Sequence, residues 1–445
     1  MAPRKDRDRQ RPHLIDRAQR ALKAARDQPE VGSPSEQDTD LTEMIGQIGT
    51  TLLAASQATS DVEDTLNRIA GSYGRPDLRI FVLPTLVIVE DTKTSPAQTE
   101  IFPADQVALR LDQADEIERL VRRTGRERTD PASVIDTISE VRSRAPRFGA
   151  FLNIFGHTLL TVGFGLVLNP TATALPVYLV LGVIVGTIVF IGNRSPTLSL
   201  ILPVLTAFAV TLLISVLVRP LVHDDVLRLV APALVTFLPG LTLTIAAVEL
   251  TSGQMMAGAS RLVYGIARLG LLTFGVYAGL SVAGDPSTPS GTGEQLGWWA
   301  PWVGILLVSI GYYFFSAAPR RSLIWILYAL VVAYSAQLLG NLTLGAELSG
   351  LIGALIVIPA VYLAGRLRIA PSPAIMLTCA YWLLVPGAMG FIGLSEAAAG
   401  TSGATSAILR TAGSLIAIAI GMMLGAAFSR DVTAVARGWR LGRRP

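Results

Sequence analysis

From Phe148 to Phe428, apolar runs of about 20 residues recur with few charges between them, whereas residues 1–147 are dense in Arg, Asp and Glu. A helix of that length, rising about 1.5 Å per residue, matches a hydrocarbon core of roughly 30 Å. Ten spans are predicted, at 149–169, 172–192, 197–218, 229–250, 261–283, 297–317, 321–339, 343–364, 373–395 and 405–428. Ahead of them the pattern is that of a small folded unit. Leu41, Met44, Ile45, Ile48 and Leu52 share one helical face. Ser60, with Glu63 three residues on, reads as the capping box of a second helix that runs to about Ser72, with Gly74 ending it. RIFVLPTLVIVE (79–90) is rich in β-branched residues and reads as one or two strands, with another over Thr99–Phe102. Asp112–Arg123 is a charged amphipathic helix, and Asp130 caps a further helix from Pro131.

The expected fold class is therefore an all-α polytopic membrane domain of ten spans behind a small cytosolic α/β domain. The division is a disordered basic tail at 1–35, the α/β domain at 36–147, five spans within 148–283, five within 284–428, and a basic tail at 429–445.

Composition sharpens this reading. Only 16% of residues are charged and the mean hydropathy is +0.50, against roughly 25% charged in a soluble domain. The first 35 residues lack the apolar segment of a secretory signal. Basic residues follow an alternation along the loops. Arg142, Arg144 and Arg147 precede the first span, and Arg194, Arg261, Arg320, Arg321, Arg366 and Arg368 fall on the same side. Arg219 and Arg228 fall opposite, beside Asp224 and Asp225. The positive-inside rule then places both termini in the cytosol. The net charge of +4 is explained by this topology and implies no nucleic-acid partner. Cys379 is the single cysteine, so an intrachain disulfide is excluded. The three histidines, at 13, 157 and 223, are too scattered for a metal cluster. There is no Walker A sequence. No His lies between residues 14 and 156, which excludes a Ser-His-Asp site within the α/β domain alone. No cofactor, no metal and no enzymatic activity are expected.

FLPGLTLTIAAVEL (237–250) joins a helix-breaking Pro239-Gly240 to Glu249 within an apolar run, and LVPGAMGFIGLSEA (384–397) repeats it. Pro386, Gly387 and Glu396 each lie 147 residues after Pro239, Gly240 and Glu249, as Gly400 does after Gly253 and Arg366 after Arg219. The same shift carries spans one to five onto six to ten. Because each copy has an odd number of spans, the second enters the membrane from the opposite side, an inverted-topology repeat typical of many secondary transporters. A channel can also be built this way. Broken helices in corresponding positions point to a central site, since freed backbone groups are tolerated in a bilayer only against protein or water. A packing kink is the alternative.

TLLAASQATSDVEDTLNRIAGSYG (51–74) followed by ten spans, with FLPGLTLTIAAVELTSGQMMAGASRLVYG (237–265) over the fourth and the start of the fifth, resembles the threonine/serine exporter family of bacterial membrane proteins. Ser252, Gly253, Gly258, Arg261 and Leu262 carry its most recognisable part, and LVPG at 384–387 resembles the family's second domain. The resemblance covers roughly 40–430. It implies a bacterial inner-membrane protein exporting threonine and serine, driven by the proton-motive force. It does not assign a substrate site to particular residues.

Candidate residues come from the residues themselves. Glu249 lies ten residues past Pro239, about 15 Å along a helix, or half a hydrocarbon thickness. Glu249 and its inverted equivalent Glu396 then stand at opposite entrances, each followed by an arginine, Arg261 and Arg410, as two gates. Ordinary interfacial charge in water is the alternative. For proton coupling the candidates are Glu249, Glu396, Glu347 and His157, the one span histidine, which alternatively serves helix packing. A zwitterionic substrate needs donors and acceptors. The broken segments at Pro239, Gly240, Pro386 and Gly387 supply backbone groups, and Asn153, Thr242, Thr244 and Gln337 polar side chains, with Arg268 as a carboxylate anchor or a snorkelling cation. The partners expected are small amino acids, protons and the lipid bilayer. A homo-oligomer is compatible with the sequence, and so are a channel with uncoupled flux or a membrane-bound enzyme using the α/β domain.

Overall fold

The computed structural model describes residues 36–441 apart from 95, 105–106, 193–195, 219–221, 223, 285–293, 368, 385–390 and 396–403. The first unit comprises α1 (Glu36–Ala54), α2 (Thr59–Ser72), β1 (Arg79–Leu83), β2 (Leu86–Asp91), β3 (Gln98–Pro103), α3 (Leu111–Glu127) and α4 (Pro131–Ser143). Its strands form an antiparallel meander in the order β1-β2-β3. RIFVLPTLVIVE is thus two strands, split at Pro84-Thr85, where Leu83 pairs with Leu86 across a two-residue turn. Alternation does the rest: Ile80, Val82, Val87 and Val89 face α1 and α2, while Phe81 is exposed.

The predicted face of α1 is buried, with Met44, Ile45 and Ile48 fully so. Gly46 lets α1 lie directly on the sheet, since a methyl group there would strike the ring of Phe102. Asp130 accepts a hydrogen bond from the Ser133 amide at the start of α4, with Pro131 in the first turn. The Ser60 capping box does not form. Helix α2 begins two residues earlier than a Ser60 cap implies, with Ala58 in the cap position and no cap from its own neighbours.

The remaining elements are helical: α5 (Ala150–Leu168), α6 (Leu175–Gly192), α7 (Pro196–Leu213) with a π turn at Ile214–Val218, α8 (Val226–Ala233), a 3-10 turn at Val235–Phe237, α9 (Gly240–Thr251), α10 (Met255–Ala283), α11 (Ala300–Phe315), α12 (Leu323–Leu344), α13 (Ser349–Ala364), α14 (Pro373–Leu384) and α15 (Ala404–Leu441). Among the described residues six helices are long and apolar enough to cross a membrane, or seven if the bent pair at 226–251 is one span. Helices α11 and α13 and the segment 375–384 are apolar but shorter, so length and composition do not reach the ten spans expected. The predicted span 229–250 is broken: Val226–Ala233 and Val235–Thr251 lie at 64°, the bend falling just after Pro232, and a second interruption follows at Pro239. Pro239 donates no amide hydrogen, and the ladder restarts at Gly240. The predicted span 343–364 begins only at Ser349.

Helices α5 and α11 cross antiparallel on glycine. A methyl group at Gly163 would lie 2.7 Å from the Gly304 carbonyl oxygen, and one at Gly304 would lie 2.6 Å from that of Gly163. Gly156 and Gly311 repeat the reciprocal approach at 2.8 and 2.7 Å. Elsewhere Gly275 and Gly279 of α10 sit on the carbonyls of Val204 and Phe208 in α7, and Gly421 and Gly425 of α15 on those of Leu351 and Leu355 in α13. Close backbone approach through small residues is how membrane helices gain packing contacts without a hydrophobic driving force between them.

Candidate functional site

Two places draw the sequence candidates together. The first is the break. Pro239 and Gly240 are buried there, Thr242 is half-buried one turn on, and Thr244 turns its hydroxyl back to the Gly240 carbonyl at 3.0 Å. His157 of α5 is fully buried beside it. Its Nδ1 lies 3.1 Å from the Gly182 carbonyl oxygen and its Nε2 3.2 Å from the Thr236 hydroxyl in the 3-10 turn. A carbonyl only accepts, so Nδ1 carries the hydrogen and Nε2 receives the Thr236 hydroxyl. The neutral ring is thus satisfied on both sides, and a proton on Nε2 requires the Thr236 hydroxyl to turn. Phe315 packs edge-on against the imidazole, with ring centroids 5.6 Å apart.

The second place is the end of α9. Glu249 is 0% exposed, so it is not a hydrated interfacial charge. Its Oε2 lies 3.1 Å from Nε of Arg261, at an angle outside hydrogen bonding, which makes the contact an ion pair. Its Oε1 accepts from both the amide and the hydroxyl of Thr59, at 2.9 and 3.0 Å. Thr59 is the first residue of α2, and Glu249 supplies the cap that Ala58 cannot. Arg261 also donates to the Gln57 carbonyl at 3.4 Å. The α/β unit therefore docks on the helical bundle through these residues.

The same contact continues along the bundle. The Leu111 amide donates to the Ser316 carbonyl at 3.1 Å, Arg147 to that of Ala318 at 2.8 Å, and the Ser372 amide to the Asp115 carboxylate at 3.4 Å. All these loops belong to the side to which the arginine pattern assigned the α/β domain. Between the two units lies a cavity of about 670 Å³, with Ser56, Gln57 and Glu118 on one wall and Asn153, Phe315, Thr378 and Trp382 on the other. Burial raises the pKa of Glu118 above its ordinary 4.5, against the pull of Arg122. A second cavity of about 40 Å³ lies beyond Leu241 and Trp382, which line both, and reaches Gly240. It has room for water.

The other candidates are dispersed. Asn153 lines the large cavity and donates to the Phe315 carbonyl at 2.9 Å. Gln337 and Arg268 are half-buried within α12 and α10. Glu347 lies in the exposed connection before α13, outside any helix, because the helix restarts later than predicted. Arg410 is exposed on α15. Pro386, Gly387 and Glu396 lie outside the described residues. Thr59, Gln57, Thr236, Glu118 and Trp382 were not singled out from sequence. Thr59 meets a residue 190 positions away, and no local pattern records such a contact.

Residues 43–283 match the family described as "Putative threonine/serine exporter". The match covers more than half of the chain, including the Thr59 and Glu249 segments, and stops short of the second half that the resemblance was expected to reach. No curated protein and no solved structure matches the chain significantly. With its apolar helices and this match, the chain is a polytopic membrane protein that belongs to the threonine/serine exporter family.

Proposed function

We propose that the protein is a secondary active exporter of threonine, serine or similar small polar amino acids, working by alternating access of a five-plus-five inverted repeat. The observation that carries this reading is the recurrence of helix contacts along the chain. Val204 and Phe208 become Leu351 and Leu355 on adding 147 residues, and Gly275 and Gly279 become Gly421 and Gly425 on adding 146. The α7–α10 contact of the first half is thus rebuilt as α13–α15 in the second. The α5–α11 crossing is reciprocal: Gly156 meets Gly311 as Gly163 meets Gly304, as a two-fold axis between equivalent antiparallel helices requires.

In this reading the membrane domain runs over 148–428 and the first unit over 36–147 is cytosolic, with both termini inside a bacterial inner membrane. The Pro239-Gly240 break, where α9 turns its amide-bearing end toward the small cavity, receives the substrate carboxylate. His157, bonded to Thr236 at that break, is the proton-coupling group. Glu249 and Arg261 form the gate on the cytosolic side, and Glu396 with Arg410 its counterpart.

The test is counterflow of labelled threonine and serine in proteoliposomes, with and without a pH gradient. Gradient-stimulated exchange is expected. Uncoupled flux would identify a channel, and turnover without vesicles an enzyme. A folded, inserted sample that exchanges neither amino acid would sink the exporter reading.

A further inference from the structure

We infer that the α/β unit is a removable lid on the large cavity, latched through Glu249. Its own hydrophobic core, from Leu41 to Val141, lies within the unit. Leu111 packs into the bundle core; the other joining contacts are polar: the Thr59 and Gln57 contacts with Glu249 and Arg261, and single bonds at Ser316, Ala318 and Ser372. Apolar surface resists separation, whereas polar groups regain water when they part, so such a joint opens at modest cost. The joint covers part of a cavity of about 670 Å³ that is partly open even with the unit seated. The latch is specific because α2 carries alanine at its cap position and takes its cap from α9. Seated, the lid gives Oε1 of Glu249 its two hydrogen-bond donors. Lifted, it leaves Glu249 to Arg261 and widens access to the cavity from the aqueous side. The inference concerns access and holds whatever the transported solute is.

Thr59→Pro tests the latch with little harm to α2. Proline suits the first helical position, and Ala58 before it already has the extended backbone that a proline needs, with φ −68° and ψ 144°. The substitution removes both donors to Glu249. Thr59→Val removes the hydroxyl alone. Each is made in the full chain carrying Ser316→Cys, at the cavity wall, and Cys379→Ala, which removes the single native thiol. The protein is held in lipid nanodiscs, where both faces are open, and labelled with a soluble maleimide.

Loss of two bonds to a buried carboxylate is expected to speed labelling of residue 316 about tenfold in Thr59→Pro, with a smaller rise in Thr59→Val. A thiol placed at Val107, which is 77% exposed on the α/β unit, should label at one rate throughout. The lid is overturned if Thr59→Pro speeds labelling of residue 316 by less than about threefold. It is also overturned if the parent already labels there as fast as at Val107. Should Thr59→Pro fail to fold, the same comparison is made with Thr59→Val, for which any rise supports the lid and an unchanged rate overturns it. No step of this measurement depends on transport.

Discussion

Replacing Gly163 by alanine places a methyl carbon 2.7 Å from the Gly304 carbonyl oxygen and 2.8 Å from the Val308 backbone nitrogen. Ordinary carbon–oxygen contacts at helix interfaces are about 3.3–3.6 Å. Both obstructing atoms are helix backbone and cannot swing aside, so α5 and α11 must part locally by roughly 0.7 Å. Overpacking of this kind costs about 1–3 kcal/mol. Gly304→Ala meets the Gly163 carbonyl in the same way and should cost as much. The two changes together should cost less than their sum, because one separation accommodates both.

Gly270→Ala is the control, since nothing lies within 4 Å of a methyl group there. Its expected effect is neutral to stabilising, by up to about 1 kcal/mol. The single thiol of Cys379 is buried, so its reaction with a fluorogenic maleimide on heating in detergent reports unfolding. Midpoints for Gly163→Ala and Gly304→Ala should fall by roughly 2–5 °C. If either variant melts with Gly270→Ala, the close crossing is wrong, and with it the main support for the two-fold relation.

Gly421→Ala, set against the Leu351 carbonyl, and Gly275→Ala, set 2.5 Å from that of Val204, should lower the same midpoint by similar amounts; a wide disparity would count against equivalent helix pairs. Glu118 supplies a pH dependence. Its pKa is raised by burial, so the folded form favours the protonated acid; its contribution is fully present below the ordinary 4.5 and is lost as pH rises through the raised value. Glu118→Gln should flatten the midpoint-against-pH curve from 4.5 upward, and an unchanged slope would place the titration elsewhere. His157→Gln should abolish stimulation of counterflow by a pH gradient while leaving exchange at equal pH measurable, and stimulation that persists in the variant would remove His157 from proton coupling.

Much of the molecule is written locally. The helix spacing of Met44, Ile45 and Ile48, the proline that splits 79–90 into a hairpin, and the Asp130-Pro131 start signal each involve residues within a turn of one another, and each element forms where its pattern falls. Pro239-Gly240 likewise marks where α9 begins, because a missing amide hydrogen is a property of one residue, although the 64° bend itself falls earlier, after Pro232. Local signals also mislead where a distant group intervenes. Ser60 and Glu63 carry a capping box, yet α2 starts at Thr59, because the carboxylate of Glu249 is a stronger acceptor brought from another domain. Glu347 sits in an apolar stretch but outside a helix, since the chain turns at Gly345, with φ 86°, before α13 begins.

The sequence by itself determined the element types, the charge asymmetry of the loops and the spacing of the two Pro-Gly segments, all of which depend on neighbours or on composition. It also carried, in TLLAASQATS and in FLPGLTLTIAAVEL, two segments whose family resemblance is recognisable separately. Only the tertiary structure decided that they touch, with Thr59 on Glu249 and Gln57 on Arg261. It alone showed that glycines of α5 and α11 lie against each other's carbonyl oxygens, and that Leu241 and Trp382 stand between two cavities. The reason is physical: periodicity fixes which face of an element is apolar, whereas a partner many residues away is chosen by how whole elements pack, and no local run of residues encodes that choice.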